Sequence, residues 1–117
     1  MATDFGIPPV VGDPAGMRAL AAKLRGQARQ VNHVEASVRG AVECMTFEGP
    51  AARTFRSGAS AWRGQARGTA GEIEDIASIL DRTAGKVERQ QADRKAAIDR
   101  LQRAEDEKRR EAQRDRL

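Results

Sequence analysis

Residues 45–55 read Met45-Thr46-Phe47-Glu48-Gly49-Pro50-Ala51-Ala52-Arg53-Thr54-Phe55. This stretch contains the strongest break between two long helical patterns. Gly49 can adopt the positive φ at which helices end. Pro50 has no N–H, so it suits the first position of a new helix, where that donor would have no intrahelical acceptor anyway. The stretch therefore predicts a helix, a tight turn and a second helix.

The first predicted helix runs from Pro14 to Met45 and follows Asp13, a residue type that caps helix N-termini. Larger apolar residues recur every seven positions along it and form a stripe of the coiled-coil kind. One position of this stripe holds Met17, Leu24, Val31, Val38 and Met45. The other is expected to hold Leu20, Gln27, Val34 and Ala41, with Gln27 as an interruption.

The second predicted helix begins at Pro50 and carries two similar series. One series is Ala52, Ala59, Ala66, Ile73, Leu80 and Val87. The other is Phe55, Trp62, Thr69, Ile76 and Thr83. Small residues beside large ones are what interdigitated packing needs. The segment from Pro50 to about Arg82 matches the first helix in length, so the pattern predicts an all-α antiparallel helix-turn-helix hairpin.

Three regions are predicted along the chain. Residues 1–12 contain Pro8 and Pro9 and are expected to form a flexible N-terminal arm. Residues 13–90 carry both apolar stripes and form the hairpin. Residues 91–117 alternate basic and acidic side chains, so we expect a charged tail. This tail is either a long helical extension, held by opposite charges three or four residues apart, or disordered.

The composition predicts that the hairpin needs a partner. Charged residues make up 32% of the 117-residue chain and aromatic residues only 3%, which leaves little to fill a core. We therefore expect a partner chain to complete the core. The residues predicted to pack within the hairpin or at the dimer interface are Met17, Leu24, Val31, Val38, Phe55, Trp62, Ile73, Ile76, Leu80 and Val87.

Two features of the second helix have alternative interpretations. Trp62 belongs either to the core of one chain or to an interface between chains. A strip of small residues lies beside the apolar series, and it is either a tolerated weak surface or a place where a second hairpin approaches closely. The strip consists of Gly58, Ala61, Gly64, Gly68 and Gly71.

No residue pattern in the sequence indicates an enzyme, a cofactor or a metal site. The chain has one histidine and one cysteine, so ordinary ligands for zinc and a Cys–His pair are lacking. His33 is expected to point outward, and Cys44 to be a partly buried thiol or, less favoured, a disulfide to a partner. The net charge of +4 arises from mixed signs, and the tail has no aromatic residues for stacking, so nucleic-acid binding is not expected. Neither a signal peptide nor a membrane span is expected.

The turn carries a family resemblance. Phe47-Glu48-Gly49, followed by Ala51, Ala52 and Phe55, resembles the turn of the small WXG proteins exported by type VII secretion systems. That family is named for Trp-x-Gly, and here Phe47 replaces the Trp. The resemblance covers about residues 13–90. It implies a hairpin that pairs with a homologous hairpin in a four-helix bundle, with Phe47, Gly49 and Pro50 forming the recognised turn.

The resemblance also implies a function. The chain would be a non-enzymatic substrate, or the partner of a substrate, of a type VII secretion apparatus. It would be made in the cytoplasm and secreted, or held at the cell surface, by a route without a cleaved leader. The family's export signal contains a Tyr, which this chain lacks. The alternative is an intracellular coiled-coil adaptor with a charged docking tail. Whether the partner is identical or different stays open.

Overall fold

The computed structural model describes residues 5–46 and 48–116. Its two α-helices are α1, Pro14–Glu43, and α2, Pro50–Asp115. The described residues contain no strand, which confirms the predicted all-α class. The chain divides into two compact units, which we treat separately. The hairpin unit comprises residues 15–82, and the second unit joins the described part of residues 1–14 to residues 83–116.

The first helix ends slightly before the predicted residue Met45. The N–H of Cys44 donates to the carbonyl of Gly40 at 3.1 Å, which is the last regular helical bond. The N–H of Met45 then donates to the carbonyl of Val42 at 3.2 Å. This bond spans three residues instead of four, so the chain tightens as it leaves α1 and satisfies carbonyls at the helix end.

Gly49 has a φ of 115°, as its predicted role in the turn requires. Its carbonyl accepts the first hydrogen bond of α2, from the N–H of Arg53 at 3.0 Å. Gly49 therefore starts α2 and does not end α1, which has already stopped at Glu43. Pro50 is the first helical residue, as predicted. Phe47, the third predicted residue of the turn motif, lies outside the described residues.

The core of the hairpin unit consists mainly of alanine. Sevenfold spacing places Ala21, Ala28 and Glu35 on one line of α1, and all three are buried. Half-buried Met17, Leu24, Val31 and Val38 alternate with this line at spacings of three and four. The facing residues of α2 are also small, because Ala52, Ala66, Ala70 and Ala77 are buried. Short side chains let two helix backbones approach closely.

The second line of the α1 seam differs from the predicted one. We expected Leu20, Val34 and Ala41 to face α2, but Leu20 and Val34 are 48% and 49% exposed, and Ala41 is also exposed. The helix is rotated so that the neighbouring residues Ala21 and Ala28 point inward. The prediction favoured the larger side chains because they have more apolar area to bury. An alanine seam instead leaves those side chains at its edge.

Charge distribution supports the antiparallel arrangement. Within residues 15–34 the charged residues are all basic, whereas residues 72–81 contain only acidic ones. The charged residues within 50–71 are again all basic, and two of them lie against the acidic Glu35 of α1. Near the turn, Glu35 pairs with Arg63 at 2.9 Å, and further from it Arg25 pairs with Asp81 at 2.6 Å. These pairs confirm the helical hairpin, because only antiparallel helices bring both sets of residues together.

The second unit contains the charged part of α2, which is helical through Asp115. Residues 7–12 have no regular secondary structure and lie beside this part of α2. The side chains of Gln91 and Arg94 donate hydrogen bonds to their carbonyl groups. The expected flexibility of the arm stays a prediction. Further along α2, Arg109 pairs with Glu105 at 2.9 Å, one helical turn away.

The geometry of the turn predicts the effect of a substitution at Gly49. Gly49→Val forces a β-branched residue to adopt a φ of 115°, where L-residues are strained. We expect the free energy of unfolding to fall by about 1–3 kcal/mol. Chemical denaturation followed by circular dichroism, at one fixed protein concentration, measures the change.

Gly40→Val is the matched control for this substitution. Gly40 lies inside α1, its φ is not positive, and the space where a Cβ would lie is open. Because valine is a better helix former than glycine, this variant should be at least as stable as the wild type. Equal losses of stability in both variants would show that the conformation of Gly49 is not the cause.

Candidate interaction surface

The two edges of the hairpin seam differ in chemistry. The half-buried seam residues of α1, Met17, Leu24, Val31 and Val38, are each followed in the sequence by a polar residue. These polar residues are Arg18, Arg25, Asn32 and Arg39. The corresponding residues of α2 are Arg53, Ser60, Arg67, Glu74 and Asp81. Antiparallel packing brings these two series to the same edge, as the Arg25–Asp81 ion pair shows. We call this edge the polar flank.

The opposite edge is the apolar flank. On α1 it consists of Leu20, Gln27, Val34 and Ala41, and on α2 of Phe55, Trp62, Thr69 and Ile76. Phe55, Trp62 and Ile76 are between 41% and 53% exposed. The α2 members recur every seven residues, so their side chains form one continuous stripe along the helix. The hairpin unit therefore presents large apolar side chains on one edge and charges on the other.

Two grooves run along the apolar flank, and Trp62 lines both. The first has a volume of about 460 Å³ and is lined by Gln27, Gln30, Val31, Val34, Trp62 and Ile73. The second, nearer the turn, has a volume of about 360 Å³ and is lined by Val38, Phe55, Gly58, Ala59 and Trp62. Trp62 thus stands as a ridge between two apolar hollows. Such a relief suits interlocking with the side chains of another helix.

The predicted packing residues fall into two groups. Six are half-buried in the hairpin unit, namely Met17, Leu24, Val31, Val38, Ile73 and Leu80. Val87 is half-buried in the second unit. The remaining three, Phe55, Trp62 and Ile76, are exposed on the apolar flank. Trp62 is therefore only partly covered by its own chain, and its contact with another chain stays a prediction.

The glycines of α2 do not mediate close contact within the chain. At Gly58, Gly64, Gly68 and Gly71, no atom beyond the adjoining backbone of α2 lies within 4 Å of the place where a Cβ would be. Ala61, the other member of the predicted strip, is exposed. The strip is thus a surface feature of the hairpin unit, and both interpretations of it, weak surface and contact with a second hairpin, stay open.

Glu35 is a buried acidic residue in the alanine seam. Only 5% of it is exposed, and its Oε1 accepts hydrogen bonds from Arg63 Nε at 2.9 Å and Arg67 Nη2 at 3.1 Å. The hydrogen bond from Arg63 is the largest cause that holds the pKa of Glu35 below its usual range. Burial acts in the opposite direction, and the charge of Arg67 adds to the lowering. The carboxylate is therefore kept ionised inside the seam.

Sequence reasoning did not identify this cluster, because Glu35 is not among the residues of the predicted apolar stripe. A signal was nevertheless present. Glu35 continues the sevenfold series of Ala21 and Ala28. Arg63 lies as many residues after Gly49 as Glu35 lies before it, and Arg67 follows one helical turn later. Buried polar residues at such positions can fix the register of paired helices.

Other side chains with chemical potential lie at the surface. His33 is exposed, as expected, and borders a polar hollow with Lys23 and Arg29 on α1. Cys44 is exposed and not partly buried as predicted. Among residues 5–46 and 48–116, no cluster of three or more His, Cys, Asp or Glu side chains could hold a metal ion. Within the same ranges, neither helix is long and apolar enough to cross a membrane.

Comparison of the chain with models of known protein families, with curated proteins and with solved structures gave no match.

The Glu35 cluster predicts a pH-dependent effect of Glu35→Gln. Because the folded-state pKa is lowered, the ionised carboxylate stabilises the fold above pH 4.5, its ordinary pKa. This stabilisation is lost as the pH falls through the folded-state pKa. We expect Glu35→Gln to unfold more easily than the wild type at pH 7. Thermal unfolding between pH 7 and pH 3 should show this difference shrinking as the solution becomes acidic.

Glu43→Gln is the control, because Glu43 is exposed at the end of α1. Its unfolding curve should follow the wild type across the same pH range. A stability difference between wild type and Glu35→Gln that persists unchanged at low pH would contradict the assigned role of the carboxylate charge.

Proposed function

We propose that this chain is a non-enzymatic helical binding module that pairs with a second helical hairpin through its apolar flank. The pair forms a four-helix bundle and is recognised by, or exported through, a type VII secretion apparatus. The observation that carries the pairing is the continuous apolar flank, with Trp62 between two grooves. The export role rests on the resemblance of the turn.

Exposure of large apolar side chains supports pairing on energetic grounds. Apart from Glu35, the buried positions of the hairpin unit are alanines, which contribute little apolar area each. Fully burying a side chain as large as Phe or Ile is worth about 1.5–3 kcal/mol. Phe55 and Ile76 retain 53% and 51% exposure, so much of this stabilisation is available to a partner. Contiguous exposed apolar surface bordered by polar residues is typical of protein interfaces.

The shape of the flank favours a helical partner. Its α2 members repeat every seven residues, which is the spacing at which side chains of a second long helix interlock. Trp62 has the position and chemistry of an interface hot spot, since a large aromatic at the centre of an apolar patch often dominates affinity. The polar flank, in contrast, is occupied by ion pairs such as Arg25–Asp81. We therefore assign the partner helices to the apolar flank alone.

We assign recognition by the secretion apparatus to the turn together with a second element. This second element is either the charged tail or the partner chain. Gly49, with a φ of 115°, and Pro50 lie at the start of α2, where the resemblance places the turn motif. The family's Tyr-containing signal is lacking, so we propose that a partner supplies it or that residues 91–117 replace it.

One observation favours the alternative of an intracellular adaptor. The charged tail is helical through Asp115, and side-chain pairs one turn apart, such as Gln102–Asp106 and Glu105–Arg109, lie on its surface. A helix of this kind would suit a docking arm on a scaffold protein. The two functions share the binding module and differ in what the tail contacts.

The proposed pairing predicts concentration-dependent association of the full-length chain. Sedimentation velocity at micromolar concentration should show a dimer, alone or with a homologous partner added. Trp62→Ala should weaken association by about 2 kcal/mol or more, which is roughly 30-fold in Kd. Its effect on the unfolding of a single hairpin should be smaller, because the residue is already 41% exposed there.

Leu101→Ala provides the matched control. Leu101 is a similarly exposed apolar residue of α2, at 42%, but it lies outside the apolar flank. Association should be unchanged in this variant. A cooperatively folded monomer at all concentrations, with and without candidate partners, would contradict the proposed pairing.

We expect the charged tail to be needed for recognition but not for folding. Truncation after Leu101 keeps the residues that contact the arm and removes mostly charged residues. We expect the thermal unfolding midpoint of the dimer to change little, while secretion by a type VII apparatus, or capture of an adaptor partner, is lost. Circular dichroism and a secretion assay test both effects. Unfolding of the truncated chain would place residues 102–117 in the core, and undisturbed secretion would place the signal on the partner or in residues 91–101.

A further inference from the structure

The second unit contains an ordered contact between a non-helical segment and one face of a helix. From here on, the arm means residues 7–12 of the predicted N-terminal arm. The α2 strip means Val87, Gln91 and Arg94. The strip residues are spaced by four and three, so they lie on one face of α2. The arm runs antiparallel to the helix, because Gly12 lies at Val87 and Ile7 lies at Arg94.

The strip binds the main chain of the arm. Arg94 Nε donates to the carbonyl of Pro8 at 2.9 Å, and its Nη2 donates to the carbonyl of Ile7 at 3.2 Å. Gln91 Nε2 donates to the carbonyls of Val10 and Gly12, at 3.3 Å and 3.2 Å. Each of these acceptors is a backbone oxygen, so the contact depends on the path of the arm more than on its side chains.

The sequence of the arm suits this kind of recognition. Pro8 and Pro9 have no N–H, and each restricts the preceding residue to extended backbone. Neighbouring carbonyls are therefore left without helix or sheet partners and available to an external donor. The guanidinium of Arg94 offers several N–H groups in a fixed fork, which matches two adjacent carbonyl oxygens. Because the prolines already restrict the arm, it loses less conformational entropy on binding than a flexible segment would.

Gly12 allows the arm to lie against the strip. A Cβ at this position would be 2.8 Å from Val87 Cγ1 and 3.5 Å from Cγ2. A valine in a helix has one strongly preferred rotamer, so this side chain cannot easily turn away. Any residue larger than glycine at position 12 would therefore clash with Val87 unless the arm or the valine moved.

We propose that the α2 strip is a peptide-binding site for extended, proline-containing main chain, with the arm as its resident ligand. Release of the arm opens the strip to a segment of the same chemistry from another protein chain. The arm is a displaceable cover, since its hydrogen bonds are few and partly exposed. This inference does not rest on the proposed pairing, because the strip shares no residue with the apolar flank.

Tethering explains why the site must be tested with the arm displaced. The arm belongs to the same chain as the strip, so its binding is intramolecular and a free peptide must compete with it. A free peptide competes poorly against such a resident ligand. Gly12→Ala in the full-length chain introduces the clash with Val87 and should release the arm. The double variant Gly12→Ala/Val87→Ala removes the clashing methyl groups and should restore it.

The experiment uses NMR on the isotope-labelled full-length chain. The side-chain N–H signals of Arg94 and Gln91 report whether the strip is occupied. A synthetic peptide of residues 5–13 serves as the probe ligand. In the wild type these signals should be protected from solvent exchange, and the peptide should have little effect. In Gly12→Ala they should lose protection and regain it on addition of peptide, with an affinity about tenfold or more above that for the wild type.

Three further variants fix the interpretation. Gly12→Ala/Val87→Ala should behave like the wild type, and so should Val11→Ala, because Val11 is 90% exposed. Gly12→Ala/Arg94→Ala should bind no peptide. The proposal is overturned if the strip signals stay protected in Gly12→Ala, if the peptide fails to bind that variant, or if binding persists without Arg94.

Discussion

The packing of alanine against alanine between α1 and α2 is the constraint on which the hairpin unit depends. Ala21 and Ala28 face a similarly small set on α2, so the two backbones can approach closely. The buried line of the seam is therefore made mostly of small residues, and Leu20, Trp62 and Ile76 lie at the edge of the seam. The feature that holds the hairpin together thus also produces the surface on which the proposed partner binds.

Ion pairs fix the register of α1 against α2, which the alanine seam alone does not determine. Alanines alone specify register weakly, because one alanine packs much like the next. Glu35, between Arg63 and Arg67, fixes one point of the register, and Arg25 with Asp81 fixes another. These interactions lie in or beside the polar flank, so the opposite edge stays free of charge. In the pairing that we propose, this separation of charged and apolar residues on the two edges restricts the partner to one edge.

The two units carry the two kinds of recognition that we propose for this chain. The apolar flank presents side-chain relief around Trp62, which is suited to a helix with its own regular pattern. The α2 strip presents hydrogen-bond donors from Gln91 and Arg94, which are suited to backbone carbonyls. The first depends on apolar area and shape, and the second on an extended path with unpaired acceptors. Neither requires a catalytic group, in keeping with the binding role that we propose.

The sequence by itself determined the helices, the turn and the antiparallel pairing. Gly49 and Pro50 mark the turn through backbone restrictions that belong to those residue types, and sevenfold spacing marks a face through helix geometry alone. It did not determine the rotation of α1 by one residue, the burial of Glu35, or the contact of residues 7–12 with Gln91 and Arg94. Leu20 and Ala21 lie on adjoining parts of the same helix face, so local pattern favours the larger residue. Only the tertiary structure decided between them, because the separation of two packed backbones depends on the side chains of both helices together.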